Sequence, residues 1–149
     1  MKHIILFLIL ATFSLSAFAQ FPLGADKEEI KAYFGDNISY ATVQDYKTAN
    51  GTEALCFTKV RVVGDYTFYF DNTGLCSSYV VTYDRNDLNE VTAIFDKNYC
   101  RTQMDKWTAE DNSFDIKLVL PKTGQNFISL VYKPKPVDVS FSANTLASN

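Results

Sequence analysis

The sequence predicts an α+β protein in which two tandem α-β-β-β(-β) units form one antiparallel sheet with the helices on one face. Two segments, over 26–37 and 87–98, have the apolar spacing of short amphipathic helices. After each helix, short runs rich in Val, Thr, Tyr and Phe alternate with turn residues, which is typical of β-meanders. The two helical segments also align with each other at an offset of 61 residues.

Residues 1–19 have the layout of a cleavable signal peptide. A basic start, Met1-Lys2-His3, precedes a mainly apolar run and the small-x-small pattern Ala17-Phe18-Ala19. The apolar run is too short to cross a hydrocarbon core of ~30 Å, and no second apolar stretch of ~18 residues follows it. The sequence therefore predicts an exported protein, periplasmic or extracellular, that begins at Gln20 and has no transmembrane segment.

The net charge limits which partners the protein can bind, and the cysteine content limits which disulfide bonds it can form. Without Lys2 the chain has 13 basic and 17 acidic residues, a net charge of −4 that argues against nucleic acid as a partner. Three cysteines, Cys56, Cys76 and Cys100, lie in the exported part. An oxidising compartment would permit one disulfide among them, and all three pairings stay open. Alternatively, they are small buried apolar residues.

The only histidine, His3, lies in the predicted signal peptide. A chain without imidazole lacks Ser-His-Asp and Cys-His nucleophile activation and His-ligated zinc. No phosphate-binding glycine loop, CxxC pair or HExxH motif follows. We therefore expect no enzyme activity, no metal and no cofactor. Carboxylate pairs are the remaining route to catalysis, and Asp84, Asp87 and Glu90 lie close together in the sequence. We interpret 84–87 as a turn leading into an Asp N-cap, because it lacks calcium-loop spacing.

The first unit, residues 20–86, begins with the helix over 26–37. Asp26 is the expected N-cap, Gly35 with Asp36-Asn37 is expected to stop the helix, and Ile30, Tyr33 and Phe34 form its apolar face. Strands are predicted near 40–48, 53–62, 66–71 and 75–84. The turns between them are marked by Asn50-Gly51, Val63-Gly64-Asp65 and Asp71-Asn72-Thr73-Gly74.

The second unit, residues 87–141, begins with the helix over 87–98. Its predicted apolar face comprises Leu88, Val91, Ile94 and Phe95. Strands are predicted near 100–109, 114–120 and 126–133, with turns at Asp111-Asn112 and over 121–125. Pro134 and Pro136 end the last strand, and residues 142–149 are predicted to be a flexible tail.

The 61-residue offset extends beyond the helices. Tyr46 aligns with Trp107, and Leu55 with Ile116. Agreement across helix, turn and strands favours a tandem repeat over two short helices that share capping rules by coincidence. Each unit has too little apolar area to fold alone, so we expect the two to share one sheet.

The helix from Gly24 to Gly35, GADKEEIKAYFG, leads into a three-stranded meander. It resembles the repeat unit of exported bacterial proteins with the β-lactamase-inhibitor-protein-like fold, and of the similar outer-membrane assembly lipoprotein BamE. The resemblance covers residues 23–133 in outline and implies the fold and protein binding, but no particular binding residue. The chain departs from it in three ways: Gln20 replaces the lipidation Cys, Asp96 stands where the second unit would have the equivalent of Gly35, and only one helix per unit is evident.

The aromatic residues are the most suggestive functional feature. In its strand, Tyr69 alternates with Tyr66, Phe68 and Phe70 and should face the opposite way. The candidate binding residues are Tyr46, Tyr69, Tyr79 and Trp107, on a sheet face that the helices leave uncovered. Such side chains give large contact area at low entropic cost, although core packing and cross-strand pairing are the alternative.

The sequence thus predicts a non-catalytic binding module for an unidentified protein. The first alternative is a carrier of a small ligand, lipid or peptide, in the cell envelope, which requires an apolar pocket between helices and sheet. The second is a carboxylate-dependent hydrolase, which requires a cleft where carboxylates such as Asp84, Asp87 and Glu90 converge.

Overall fold

The computed structural model describes residues 22–37, 42–58 and 64–136. The predicted signal peptide over 1–19 and the predicted tail over 142–149 lie outside these residues. The first half of the described chain comprises α1 (Lys27–Asn37), β1 (Thr42–Lys47), β2 (Glu53–Thr58), β3 (Tyr66–Phe70) and β4 (Cys76–Asp84). A 3₁₀ turn (Arg85–Asp87) leads into the second half, which comprises α2 (Leu88–Asn98), β5 (Cys100–Gln103), β6 (Lys106–Thr108), β7 (Phe114–Val119) and β8 (Phe127–Pro134). The predicted α+β class is confirmed.

The eight strands form one antiparallel sheet in the order β1-β2-β3-β4-β8-β7-β6-β5. This confirms the predicted antiparallel sheet. Strands β1–β4 form one meander and β5–β8 a second. The two meanders join where β4 pairs with β8, from Tyr79 opposite Tyr132 to Asp84 opposite Phe127. Strands β1 and β5 are the two edges of the sheet.

A capping box fixes the start of α1. Asp26 Oδ1 accepts a hydrogen bond from the Glu29 N–H at 2.9 Å, and Glu29 Oε2 accepts one from the Asp26 N–H at 3.0 Å. Ile30 and Phe34 are buried as predicted, whereas Tyr33 is exposed. α1 ends at Asn37, the last residue of the predicted stop Gly35-Asp36-Asn37, and Gly35 itself lies inside the helix. Glycine inside a helix costs only about 1 kcal/mol relative to alanine, so it does not stop a helix by itself.

Helix α2 also lies where the sequence predicts it. Val91 and Phe95 are buried, but Ile94 is 48% exposed, so its assignment to the apolar face is wrong. Asp87 makes no side-chain capping bond. Instead, Asp84 Oδ1 accepts a hydrogen bond from the Asn86 N–H at 2.8 Å and caps the preceding 3₁₀ turn.

The segment predicted as one strand near 100–109 is two strands. β5 and β6 form a hairpin closed by Met104 and Asp105, with an irregular register between Arg101 and Gln103. Neither turn residue has a positive φ; Asn112, at φ 61°, is the only non-glycine residue with one in the described part. The Gly or Asn that usually marks a tight hairpin is therefore missing from this turn.

Gly64 lies where the chain entering β3 comes close to β4. Its φ is +110°, and a Cβ atom at this position would lie 2.9 Å from the carbonyl oxygen of Thr82. The predicted turn at this glycine is thus required both by the backbone conformation and by the close approach of two strands.

The two faces of the sheet differ in burial. Directly opposed residues of antiparallel strands point to the same side, so the registers define a continuous row across the sheet. That row is Leu55, Phe68, Tyr79, Tyr132, Ile116 and Trp107, and all but the partly buried Tyr79 are buried. We call this side the core face. The alternate residues of the same strands form the other side, which we call the open face.

Aromatic packing dominates the core face. The Phe34 ring of α1 lies 5.2 Å from Phe57 and 5.1 Å from Phe68 between ring centroids. The Phe95 ring of α2 lies 5.7 Å from Trp107 and 6.4 Å from Tyr132. Each of these phenylalanines contributes about 1.5–3 kcal/mol by burial.

The 61-residue offset relates the helices but not the strands. It equates β1, β2 and β3 with β6, β7 and β8, which run in the same directions but in reversed order across the sheet. Only a rotation about an axis parallel to the strands reverses the strand order and keeps the strand directions. Such a rotation would move core-face residues to the open face, yet Leu55 and its aligned residue Ile116 both lie on the core face. The strand part of the alignment is therefore wrong, including the equivalence of Tyr46 and Trp107.

The buried tyrosines make the free energy of unfolding depend on pH in the alkaline range. Burial raises the pKa of Tyr79, Tyr99 and Tyr132 above the ordinary value of 10.0, and raises that of Tyr83 to about 12. Above the ordinary pKa the unfolded chain releases phenolic protons that the folded chain retains. The resulting stabilisation is present below pH 10 and is lost as the pH rises towards 12.

We therefore expect the melting temperature, followed by circular dichroism, to fall steeply from pH 10 to pH 12. Tyr132→Phe removes one of these phenols, so its melting temperature should fall less over the same interval than that of the wild type. Tyrosinate absorbance that reached its full value before any loss of structure would contradict this prediction.

Candidate binding face

The open face is broad, and in the part of the chain that the structure describes the buried side chains of both helices pack on the opposite side of the sheet. One of its rows crosses seven strands and comprises Gln44, Cys56, Thr67, Val80, Val131, Lys117 and Lys106. None of these seven residues is buried. The open face has an area of roughly 700 Å², because its eight strands are spaced about 4.8 Å apart and are on average about 20 Å long.

Tyr46 and Tyr69 lie together on this face. Both flank Ala54, which is opposite Tyr46 on β1 and opposite Tyr69 on β3. Tyr46 is 42% exposed and Tyr69 is half-buried, while Ala54 is fully buried. Burial and a hydrogen bond with Tyr46 raise the pKa of Tyr69. Tyr69 faces away from Phe68 and Phe70, as the alternation predicts.

The other two candidate residues lie on the core face, so their assignment to an uncovered face is wrong. Tyr79 stacks on Tyr132 at 4.1 Å between ring centroids and 10° between ring planes. Trp107 is 1% exposed, and its Nε1–H donates a hydrogen bond to Asp96 Oδ1 at 2.7 Å. Arg101 lies over the Trp107 ring and pairs with Asp96 at 2.9 Å. Both aromatic residues are structural.

The three cysteines are free in the structure. Cys56 lies half-buried on the open face, where the Thr67 hydroxyl donates to its sulfur at 3.6 Å. Cys76 is buried in the core around α1, and burial raises its pKa to about 12. Cys100 is exposed on edge strand β5. Of the three, only Cys76 matches the alternative of a small buried apolar residue.

A groove of about 930 Å³ lies between α2 and the end of β7. Its apolar lining includes Leu88, Ala93, Met104, Leu118, Val119 and Leu120. Met104 and Leu120 are 88% and 59% exposed. Asp96, Arg101, Asp105 and Lys117 supply charged groups at the groove. The groove is open to solvent and does not enclose a cavity.

The carboxylates near the centre of the chain do not form a metal site in the part that the structure describes. Asp84 is occupied as a cap, and Asp84 and Glu90 are both exposed. Within residues 22–37, 42–58 and 64–136, no three His, Cys, Asp or Glu side chains are close enough to hold a metal ion. Among the helices of these same ranges, none is long and apolar enough to cross a bilayer.

Comparison with protein-family models, curated proteins and solved structures finds no match to this chain. The resemblance to the β-lactamase-inhibitor-protein-like and BamE-like repeat therefore stays a prediction.

Sequence reasoning missed three lysines of the open face. Lys106, Lys117 and Lys133 lie on adjacent strands and all point to this face. The signal was present in the alternation Asp115-Ile116-Lys117-Leu118, in which the apolar residues belong to the core face. Without the strand order, however, lysines that are distant in sequence could not be placed side by side.

The thiols should differ sharply in reactivity. We expect iodoacetamide to alkylate Cys100 readily in the native protein and Cys76 only after unfolding, because Cys76 is buried and its thiol stays protonated. Mass spectrometry of native and denatured samples measures this. A Cys76→Ser variant provides the assignment control. If denatured protein has two fewer free thiols without reductant than with it, two of the cysteines form a disulfide instead.

Proposed function

We propose that this chain is a non-catalytic protein-binding module that contacts its partner through the open face. The observation that carries the proposal is the contrast between the two sides of one sheet: the core face is packed, whereas the seven-strand row on the open face contains no buried residue. The area of roughly 700 Å² is close to the ~800 Å² that each partner contributes to a standard interface.

Two related α-β-β-β-β units would account for the sheet order. A two-fold axis normal to the sheet, between β4 and β8, would relate β1–β4 to β5–β8. Such a relation keeps each face of the sheet on its own side and places both helices on the core face. The packing of Phe34 against Phe57, and of Phe95 against Trp107, supports this arrangement. It leaves the open face as the large uncovered surface of the sheet.

Tyr46 and Tyr69 are the aromatic contact point of the proposed interface. Partly exposed tyrosines that lie side by side bury large apolar area on binding and are typical of residues that dominate interface energetics. With export to the periplasm or the medium, as the N-terminus predicts, the partner would be a protein of the cell envelope or its surroundings.

Alanine substitution at both tyrosines tests this proposal. We expect Tyr46→Ala/Tyr69→Ala to weaken partner binding by about 2 kcal/mol or more. Tagged protein captures partners from the cell-envelope fraction of the producing cell, and calorimetry of an identified partner gives the affinity. Ile94→Ala, an exposed apolar substitution on α2, is the matched control and should bind like the wild type. Equal affinity of all three proteins would contradict the proposal.

The groove favours a second candidate function, a carrier of a small apolar ligand. Its size is within the usual range of ligand sites, about 300–1,000 Å³, and exposed apolar side chains line it. The charged groups Asp96, Arg101, Asp105 and Lys117 would fix the polar end of an amphipathic ligand.

Native mass spectrometry of freshly purified protein tests this second function. A carrier should retain a ligand of defined mass, and Leu120→Asp should abolish that retention, because a charge would replace an apolar wall of the groove. Val43→Asp, on edge strand β1, is the control for an exposed apolar residue far from the groove. A ligand-free spectrum of the wild type, with no uptake of added fatty acid, would count against the carrier function.

A further inference from the structure

We propose that the open face selects a protein partner with an acidic surface, and that Lys106, Lys117 and Lys133 are the residues that select it. This inference rests on the proposed function. It adds the chemistry of the partner to the location of the interface.

The lysines form a compact cluster in the sheet. Lys106 on β6 lies directly opposite Lys117 on β7, and Lys133 lies on β8, next to β7. Lys133 is two residues along β8 from Val131, the residue opposite Lys117. Diagonal neighbours of this kind lie about 7–8 Å apart, within reach of one another's long side chains.

The three lysines of the cluster form no ion pair in the described ranges, although one carboxylate, that of Asp115, lies among them. The absence of an ion pair in these ranges is also true of Lys97 and Lys122, whereas Lys27, Lys31, Lys47, Arg101 and Lys135 do take part in one. Asp115 on β7 lies directly opposite Lys133 and two residues from Lys117, but its carboxylate is already engaged. It pairs with Lys135 at 3.3 Å and accepts a hydrogen bond from the Thr108 hydroxyl.

The cross-strand pair of lysines is unfavourable in the free protein. Like charges directly opposite each other destabilise a sheet, and Thr or Val would pair better at either position. A carboxylate-bearing partner would reverse the sign of this interaction by placing negative charge against the pair. The part of the open face formed by β1, β2 and β3, with Tyr46, Tyr69, Thr67 and Gln44, carries no charged residue and is suited to aromatic and hydrogen-bonding contacts.

The rest of the molecule favours a protein over other polyanions. The chain has a net charge of −3, so a long polyanion such as nucleic acid or an anionic membrane would be repelled wherever it extended past the lysine cluster. A protein surface with a local group of Asp or Glu fits a patch of three lysines beside an uncharged, tyrosine-bearing surface.

A defined peptide probe tests the inference. We would titrate ¹⁵N-labelled protein with a ten-residue peptide in which Glu alternates with Thr, and with the same peptide carrying Gln for Glu. We expect the Glu peptide to shift amide resonances of β6, β7 and β8, and the Gln peptide to bind about tenfold more weakly. Higher salt should weaken binding of the Glu peptide, because exposed charges are screened.

Charge reversal supplies the matched comparison. K106E/K117E/K133E should weaken binding of the Glu peptide by about tenfold or more, whereas K97E/K122E, which reverses two exposed lysines outside the cluster, should change it less than about twofold. Lys117→Thr should weaken binding and, unlike a destabilising change, raise the melting temperature. Equal effects of the two charge-reversed variants would overturn the inference, as would lysine-dependent binding that is tighter to phosphatidylglycerol vesicles than to the peptide.

The captured partner separates this inference from the proposed function. A partner that is lost with Tyr46→Ala/Tyr69→Ala but retained by K106E/K117E/K133E would overturn the acidic-partner inference and leave the proposed function intact. A partner that neither variant loses would contradict both. A partner that both variants lose, and that carries clustered Asp or Glu at its contact surface, would support both.

Discussion

The pairing of β4 with β8 is the constraint on which the rest of the structure depends. It joins two four-stranded meanders into one sheet through six opposed residue pairs, from Tyr79–Tyr132 to Asp84–Phe127. The stacked rings of Tyr79 and Tyr132, 4.1 Å apart, lie at this junction, and Tyr79 also packs against the core around α1. Without this pairing each half would expose a long strand edge and one side of its core. A unit of about 60 residues buries a smaller fraction of its surface than a larger domain, so each meander gains stability by sharing the core with the other.

The junction also determines what the molecule can present to others. Because β4 and β8 pair in register, the core face is continuous from Leu55 to Trp107, and so the open face is continuous as well. Side chains from both halves therefore share one surface, with Tyr46 and Tyr69 at one end and the lysines of β6–β8 at the other. A binding function for this surface needs both halves, and neither meander carries the whole of it.

The sequence predicted the helices best, because local rules decide them: Asp26 caps α1 as predicted, and Val91 and Phe95 are buried. Prediction from the sequence failed where contacts between distant segments determine the structure. The turn at Met104-Asp105 has no conformational signature, so β5 and β6 were merged. Alternation identifies which residues of a strand share a face but not which face is covered, so Trp107 was misplaced while Tyr69 was placed correctly. The lysine cluster depends on strand order, which no local pattern contains.

The position of β8 in the sheet has a kinetic consequence. β8 is the last strand of the described chain, yet it lies in the interior of the sheet, between β4 and β7. The outer edge of β4 and one edge of β7 stay unpaired until residues 127–134 have been synthesised, so the sheet can be completed only late during chain elongation. Contacts between such distant segments slow folding and prolong the time during which the edge of β4 is exposed. During that interval the unpaired edge of β4 is a site at which another chain can add a strand.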